Sequence, residues 1–306
     1  MSDAAGRPEA FVPYGVIRGA KRGPSAAVVA GAHGTEVASQ DGVLALWRRL
    51  TPDDVSGTLT VIFVANVAAA ALGTPAVNPI DGKNLNRVWP GDSQGTASER
   101  LAACIWGSLL KECSPVIDVH GGEWTEDLHA FAIVHRSDEP DVDDRALRIA
   151  SHAGVPYLEI TDATGSWLGQ GTLSAQTARD HRVGITLEIG GAGRRAPDEV
   201  ELTTTSITAA LATAGVVQSP SGDASTPTLV LDGSDAIRTP VGGLLVPSAE
   251  VGQNVAAGQE LCKVTDFDGE PLEIVRAVRG GRLLLRSVAR VVDPGALVAK
   301  VGWVPR

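Results

Sequence analysis

The chain has 306 residues, 43% of them hydrophobic, and a formal charge of −10, which allows a large core and more than one folded unit. No apolar run approaches the ~18 residues of a membrane span, and the opening MSDAAGRPEA lacks the basic and apolar regions of a signal peptide. Residues 225–306 carry nine basic and nine acidic groups, so the acidic excess lies wholly in residues 1–224, a balance that repels phosphate backbones and argues against a nucleic-acid partner.

In chain order, Phe11 to Ile17 reads as an edge strand and Ser25 to Ala32 as a buried one. Val43, Leu44, Leu46, Trp47 and Leu50 recur at helical spacing. Thr58 to Ala65 is a second strong strand, and Asn66 to Trp89, with Pro79, Asp81-Gly82 and Asn84, reads as a long surface loop. Loops of that length are usually functional. Ser98 to Cys113 reads as a helix with Cys104 and Cys113 as core fillers, Pro115 to Val119 as a strand, and Ala130 to Val134 as a further apolar run. Asp141 to His152, Thr172 to His181 and Val200 to Ala214 read as helices, alternating with strands at Tyr157 to Ile160 and Val183 to Ile189. The alternation predicts an α/β fold with a largely parallel sheet covered by helices.

Gln218 to Thr228 (QSPSGDASTPT) reads as a linker, after which short β-prone runs replace the helical pattern. The expected organisation is a catalytic domain over 1–217 and a small all-β domain over 226–306. The latter carries half of a lipoyl/biotinyl-like pattern at Gly242 to Val246, Val251 to Val255 and Gly258 to Leu261. A carrier domain needs a Lys at a hairpin tip; the expected tip here, Asp266 to Gly269, has none, so a domain that narrows the active-site entrance is the better reading.

Four features fall on the turns that end predicted strands or in the long loop: His33-Gly34-Thr35-Glu36, Asn84-Leu85-Asn86-Arg87, Asp118-Val119-His120-Gly121-Gly122, and Glu188 before Gly190-Gly191. Ligands of open α/β sheets collect at the carboxyl ends of strands. His33, Glu36 and His120 form a His₂Glu set that leaves a fourth position of one zinc ion open to water, with Glu188 as general base. Arg87 would stabilise an oxyanion or hold a substrate carboxylate, and Asn86 would hydrogen-bond substrate. Asp118 is a candidate hydrogen-bond partner of His120. Each part has a plainer reading. His120 and Glu123 repeat the His-x-x-Glu spacing by chance, His120 can simply end a strand, and Arg87 can be a surface ion-pair residue. Glu188 is hardest to dismiss, because a buried unpaired carboxylate costs several kcal/mol. His129, His135, His152 and His181 read as structural or solvent-facing, and Glu159 as structural or substrate-side.

The ordered pieces GAHGTE (31–36), NPIDGKNLNRVWPG (78–91), DVHGG (118–122) and ITLEIGG (185–191) resemble the succinylglutamate desuccinylase/aspartoacylase family of zinc-dependent, carboxypeptidase-like deacylases. The second piece looks closest to the N-acetyl-diaminobutyrate deacetylase branch. The resemblance implies zinc on His33, Glu36 and His120, catalysis by Glu188, and substrate contact from Asn86 and Arg87. It further implies hydrolysis of an N-acyl amide on a small amino acid, and a C-terminal β domain after the catalytic one.

This sequence departs from the family in two ways. No Arg lies between Arg49 and Arg87, where relatives commonly carry one, and the only tyrosines are Tyr14 and Tyr157, whereas some relatives use a C-terminal tyrosine. Few carboxylate-gripping groups in an acidic domain argue against a dicarboxylate substrate. The expected protein is thus a cytoplasmic zinc deacylase of small N-acyl substrates, with the cysteines reduced and a homo-oligomer left open. The alternatives are a zinc carboxypeptidase acting on peptides, and a non-catalytic binding protein on a decayed hydrolase scaffold.

Overall fold

Strand β2 (Lys21–Ala30), preceded by β1 (Tyr14–Arg18), turns Ala26, Val28 and Ala30 toward one apolar cluster and Ala27 and Val29 toward another. That alternation marks a strand covered on both faces. In this computed structural model, which describes residues 10–163, 170–218 and 228–303, the later strands of the first part are β3 (Ser56–Ile62), β4 (Val116–His120), β5 (Glu126–Leu128), β6 (Phe131–Arg136), β7 (Tyr157–Asp162), β8 (Gly184–Glu188) and β9 (Leu229–Leu231). All but β5 form an eight-stranded sheet in the order β1-β3-β2-β4-β8-β6-β7-β9. The β1–β3 and β6–β8 pairs are antiparallel and the others parallel. This is a mixed α/β sheet of the expected class.

The helices are α1 (Val37–Arg49), α2 (Val67–Leu72), α3 (Ala97–Ile105), α4 (Pro140–Ser151), α5 (Leu173–Arg179) and α6 (Pro197–Thr213). Val43 and Leu46 of α1, Ile149 of α4 and Ile207 and Leu211 of α6 fill one face of the sheet. Leu101 and Ile105 of α3 and Leu173 of α5 fill the other.

Two expectations are corrected. Residues 66–89 are a surface loop only in part: 73–84 carry no helix or strand and expose Pro75, Pro79 and Ile80, whereas Asn66 accepts a hydrogen bond from the Ala69 N–H to cap α2, and Leu85 and Trp89 are buried in the second cluster. The sequence VAAAAL of α2 is too short for a helical period to register. Cys113 is buried but Cys104 is exposed. Positions nine apart in a helix lie about 180° from one another, so the two cysteines do not share a face; a wide π-type turn over Trp106–Leu110 follows α3. Most of the predicted linker, 219–227, lies outside the described residues.

Beyond β9 the described chain forms only strands: β10 (Gly233–Arg238), β11 (Gly243–Pro247), β12 (Asn254–Val255), β13 (Glu260–Thr265), β14 (Pro271–Arg276), β15 (Gly281–Ser287), β16 (Val291–Val292) and β17 (Leu297–Trp303). They make two antiparallel sheets, β10-β17-β15-β12 and β14-β13-β11-β16, around Leu245, Val264, Leu283, Val298 and Val301. Asp266 to Gly269 joins β13 to β14.

The two parts are pinned by hydrogen bonds and charge. Strand β5, just beyond His120, pairs with β15. Lys300 of β17 lies 2.5 Å from Glu159 of β7, which also accepts a 2.5 Å hydrogen bond from Ser234 of β10. Glu159 and Lys300 are only 5% and 6% exposed. Burial opposes the Glu159 charge, but the Lys300 ammonium and its hydrogen bond hold the carboxyl below its ordinary value. A carboxyl depressed by folding stabilises the fold above its unfolded pKa, and that contribution is lost as acidification passes through the folded value. Replacing one member strands the other charge: Lys300→Met should cost about 3 kcal/mol in denaturant unfolding, with part of the loss recovered in the Glu159→Gln/Lys300→Met double variant.

Candidate active site

Strands β2, β4 and β8 are neighbours and parallel, so their carboxyl ends open on one side of the sheet. The turn after β2 carries His33 and leads to Glu36 at the N-cap of α1. His120 ends β4 and Glu188 ends β8, opposite one another in register. The turns must be slim: a Cβ on Gly34 would lie 2.2 Å from the Ala69 backbone, and one on Gly122 would lie 2.2 Å from the Glu126 carbonyl oxygen.

One nitrogen from each imidazole and the Glu36 carboxylate converge, with donor atoms from His33, Glu36 and His120 all within 4.8 Å of one another. His33 Nδ1 is 2.5 Å from Glu36 Oε1 and His120 Nδ1 is 2.9 Å from Glu36 Oε2. The far nitrogens are held as well. His33 Nε2 is 3.1 Å from Asn84 Oδ1, and His120 Nε2 is 3.1 Å from Asp118 Oδ1. Nε2–H donation to those oxygens leaves Nδ1 as the nitrogen that faces Glu36: protonated, it donates to the carboxylate, and deprotonated, it offers the lone pair that a metal would take. Burial opposes every charge here. Even so, His33 and His120 hold Glu36 down at about 2, and Glu36, with Asp118 acting on His120, holds both imidazoles above their ordinary value. The Glu36 carboxylate thus gathers positive charge at this point. A nitrogen–nitrogen–carboxylate set that attracts a cation suits a divalent ion of zinc's class.

Glu188 has no hydrogen-bonded or ion-paired partner among the described residues. Burial pushes its carboxyl up to about 8, against the pull of His120 and with a further push from Glu36. Arg87 follows Asn86 in a short turn, Leu85–Arg87, and its Nη1 donates to the Asn86 carbonyl oxygen at 2.7 Å. Its charge is felt alongside those of Glu188 and Asp118. Asn86 is buried. Its Oδ1 accepts from the Leu173 N–H at 2.8 Å, and its Nδ2 lies 3.4 Å from Asp118 Oδ2 and 3.0 Å from His120 Nε2. These contacts tie Asn86 to the support of His120.

Four neighbours escaped the sequence reading. Asn84 orients His33 and also accepts from the Asn86 N–H at 2.7 Å. Thr35 donates to Glu123, whose other oxygen accepts from the Ala76 N–H at 2.6 Å and lies 3.7 Å from His33 Nδ1. Burial, reinforced by Glu36, pushes the Glu123 carboxyl up to about 7. Glu126 stands behind Glu123, whose N–H donates to it at 3.5 Å. The recurrence of His-x-x-Glu at His120 and Glu123, read as chance, is the signal that could have found Glu123. His135 is buried 3.1 Å from Ser174 Oγ, His129 lies against Tyr157, and His152 and His181 are exposed.

The catalytic-domain model of the succinylglutamate desuccinylase/aspartoacylase family matches residues 22–214. The chain is 29% identical over 300 residues to the N-alpha-acetyl-L-2,4-diaminobutyric acid deacetylase of Halomonas elongata, spanning 96% of this chain and 86% of that one. The product-bound structure of the ectoine utilization protein EutE (DoeB) from Ruegeria pomeroyi superposes with a TM-score of 0.88 at 25% identity, over 99% of this chain and 92% of that one. A succinylglutamate desuccinylase/aspartoacylase from Rhodobacter sphaeroides does so at 0.85 and 25% identity, with 99% and 92% covered.

The held tautomers lead to a test. Asp118→Asn should weaken divalent-ion binding on the order of 10–100-fold, read by competition with a coloured chelator, while circular dichroism stays unchanged.

Proposed function

The chain belongs to the succinylglutamate desuccinylase/aspartoacylase family, and from that premise we propose that it is a zinc-dependent deacylase of N-acylated small amino acids. The observation that carries this reading is the meeting of the His33, Glu36 and His120 donors, at the end of adjacent strands, beside the unpaired Glu188. Zinc held by His33, Glu36 and His120 would supply a Lewis acid that polarises the amide carbonyl and lowers the pKa of water to about 7.

The other roles belong to this chain's side chains. Glu188 takes the proton of the attacking water and returns it to the leaving nitrogen. Its upward shift keeps it basic enough for the first transfer, and a nearby dication would draw that value toward neutrality, where a base of this kind works best. Arg87 faces the charge that develops on the substrate, either the carbonyl oxygen or a carboxylate, and its guanidinium suits both. Asn86 borders the same opening and, through Asp118, keeps His120 in place. Strands β10 to β17 form a small β domain that limits the entrance. The pairing of β5 with β15 supports this, since it ties the wall beyond His120 to the C-terminal part. No helix among the described residues is long and apolar enough to cross a membrane.

Protein purified without added metal should carry near-stoichiometric zinc by elemental analysis, and His33→Ala and His120→Ala proteins should lose it. Glu188→Gln should keep its metal yet lose turnover of N-acetyl amino acids by on the order of 10²–10⁴-fold. Normal hydrolysis by that variant would remove Glu188 from the mechanism. A preference for short peptides over N-acetyl amino acids would make the enzyme a carboxypeptidase instead.

A further inference from the structure

Residues 73–84 join α2 to the short turn that carries Asn86 and Arg87. Both ends of this loop have their own anchors. At its start the Thr74 N–H donates to the Ala69 carbonyl oxygen at 2.9 Å. Further on, Asp81 accepts from the Ser98 N–H at 2.7 Å and from the Ser98 hydroxyl at 2.8 Å, and the Asn78 N–H donates to the Lys83 carbonyl oxygen. The stretch between, residues 75–77, is tied to the site by the Ala76 N–H, which donates to Glu123 Oε1 at 2.6 Å.

Ala76 has φ 54°, a left-handed conformation that an L-residue avoids because its Cβ crowds the following carbonyl oxygen. Such an outlier persists only where the surroundings over-determine it. Here the determining partner is Glu123. Its other oxygen accepts from the Thr35 hydroxyl, in the turn between His33 and Glu36. Glu123 also opens a four-residue turn, closed by the Glu126 N–H on its carbonyl oxygen at 3.0 Å. Within that turn Trp124 lays its indole against Gly73, where a Cβ would fall 2.8 Å from Cζ2. Glu123 Oε1 lies 3.7 Å from His33 Nδ1, and Asn84 Oδ1, at the far end of the loop, lies 3.1 Å from His33 Nε2. The loop therefore reaches both nitrogens of His33, directly at one and through Glu123 at the other.

We propose that Glu123 is a positioning residue that clasps residues 73–84 onto the metal site, acting through its two acceptor oxygens and not through its charge. The inference rests on the deacylase reading above and deepens it. Glu123 is not among the converging donors of His33, Glu36 and His120, and both its oxygens are engaged. With the clasp made, the loop is in place before substrate arrives. Without it, only the fraction of molecules with the loop in place binds, so apparent affinity falls by that fraction while the chemical step is unaltered.

The test sets Glu123→Gln against Glu123→Ala in the full-length zinc-loaded protein. Glutamine keeps the clasp: its carbonyl oxygen accepts from the Ala76 N–H, and its amide donates to the Thr35 hydroxyl oxygen. Alanine removes both contacts. Hydrogen exchange of peptides spanning 73–84, read without substrate, should rise by on the order of tenfold in Glu123→Ala and by less than about threefold in Glu123→Gln. With N-acetyl amino acids, Glu123→Ala should raise KM by on the order of tenfold, with kcat within about threefold and zinc content unchanged. Glu123→Gln should match the unaltered protein. Should Glu123→Ala not fold, Thr35→Val releases one oxygen and should raise the same exchange by a smaller factor; no rise there would overturn the clasp. Unchanged exchange in Glu123→Ala would overturn it too, and so would a Glu123→Gln protein as impaired as Glu123→Ala, which would assign the role to charge. Absence of hydrolysis by the unaltered protein would overturn the deacylase reading alone, since the exchange comparison stands without turnover.

Discussion

The Glu36 carboxylate, buried between His33 Nδ1 at 2.5 Å and His120 Nδ1 at 2.9 Å, constrains everything at the open end of the sheet. An anion taken out of water persists only where positive charge or donors collect around it. The turn after β2 therefore has to bring His33 back over Glu36, and β4 has to end where His120 reaches the other oxygen. Because β2 and β4 are parallel neighbours, one end of the sheet meets both demands. Glu188 follows from the next pairing, since β8 lies beside β4 with His120 and Glu188 in register. The order of three strands therefore decides which side chains meet.

A cluster of this kind also needs its surroundings fixed, and here the C-terminal part contributes. The β5–β15 ladder and the Asp127 contacts with Arg194 and Arg286 hold the segment just past His120. The Lys300–Glu159 pair ties β17 to β7 on the far side. Buried ion pairs add little net stability over apolar packing, but each is costly to break on one side. They therefore fix how the two parts dock more than how strongly. The wall of the site takes its shape from chain more than 150 residues away, between Glu126 and Ser287 in sequence terms.

Much of the fold was legible in the sequence because buried strands are short apolar runs with turns at both ends. SAAVVAGA, TLTVIFVA and VGITLEI are central strands, and the His-x-x-Glu turn and Glu188 sit at their ends as the pattern implied. What stayed hidden depended on contacts rather than pattern. The hexamer VAAAAL carries no period, and only its packing makes it α2. Asn84 looked like a loop residue, because nothing local shows that its side chain will meet His33 across 51 positions. Cys104 is exposed although it shares a helical pattern with Cys113, because positions nine apart in a helix lie about 180° from one another and cannot both face the core.

Glu123 shows a deeper limit. The sequence offered two His-x-x-Glu pairs, and spacing could not rank them. In the folded chain Glu36 sits at the start of a helix and reaches both imidazoles, whereas Glu123 follows two glycines and is engaged by Thr35 and the Ala76 N–H. What separates the two is which partners already claim each carboxylate. That criterion is read from tertiary contacts alone. At such a site the informative groups are charged side chains whose partners are missing, since a protein that buries charge at a cost of several kcal/mol keeps it unpaired only where something else completes it.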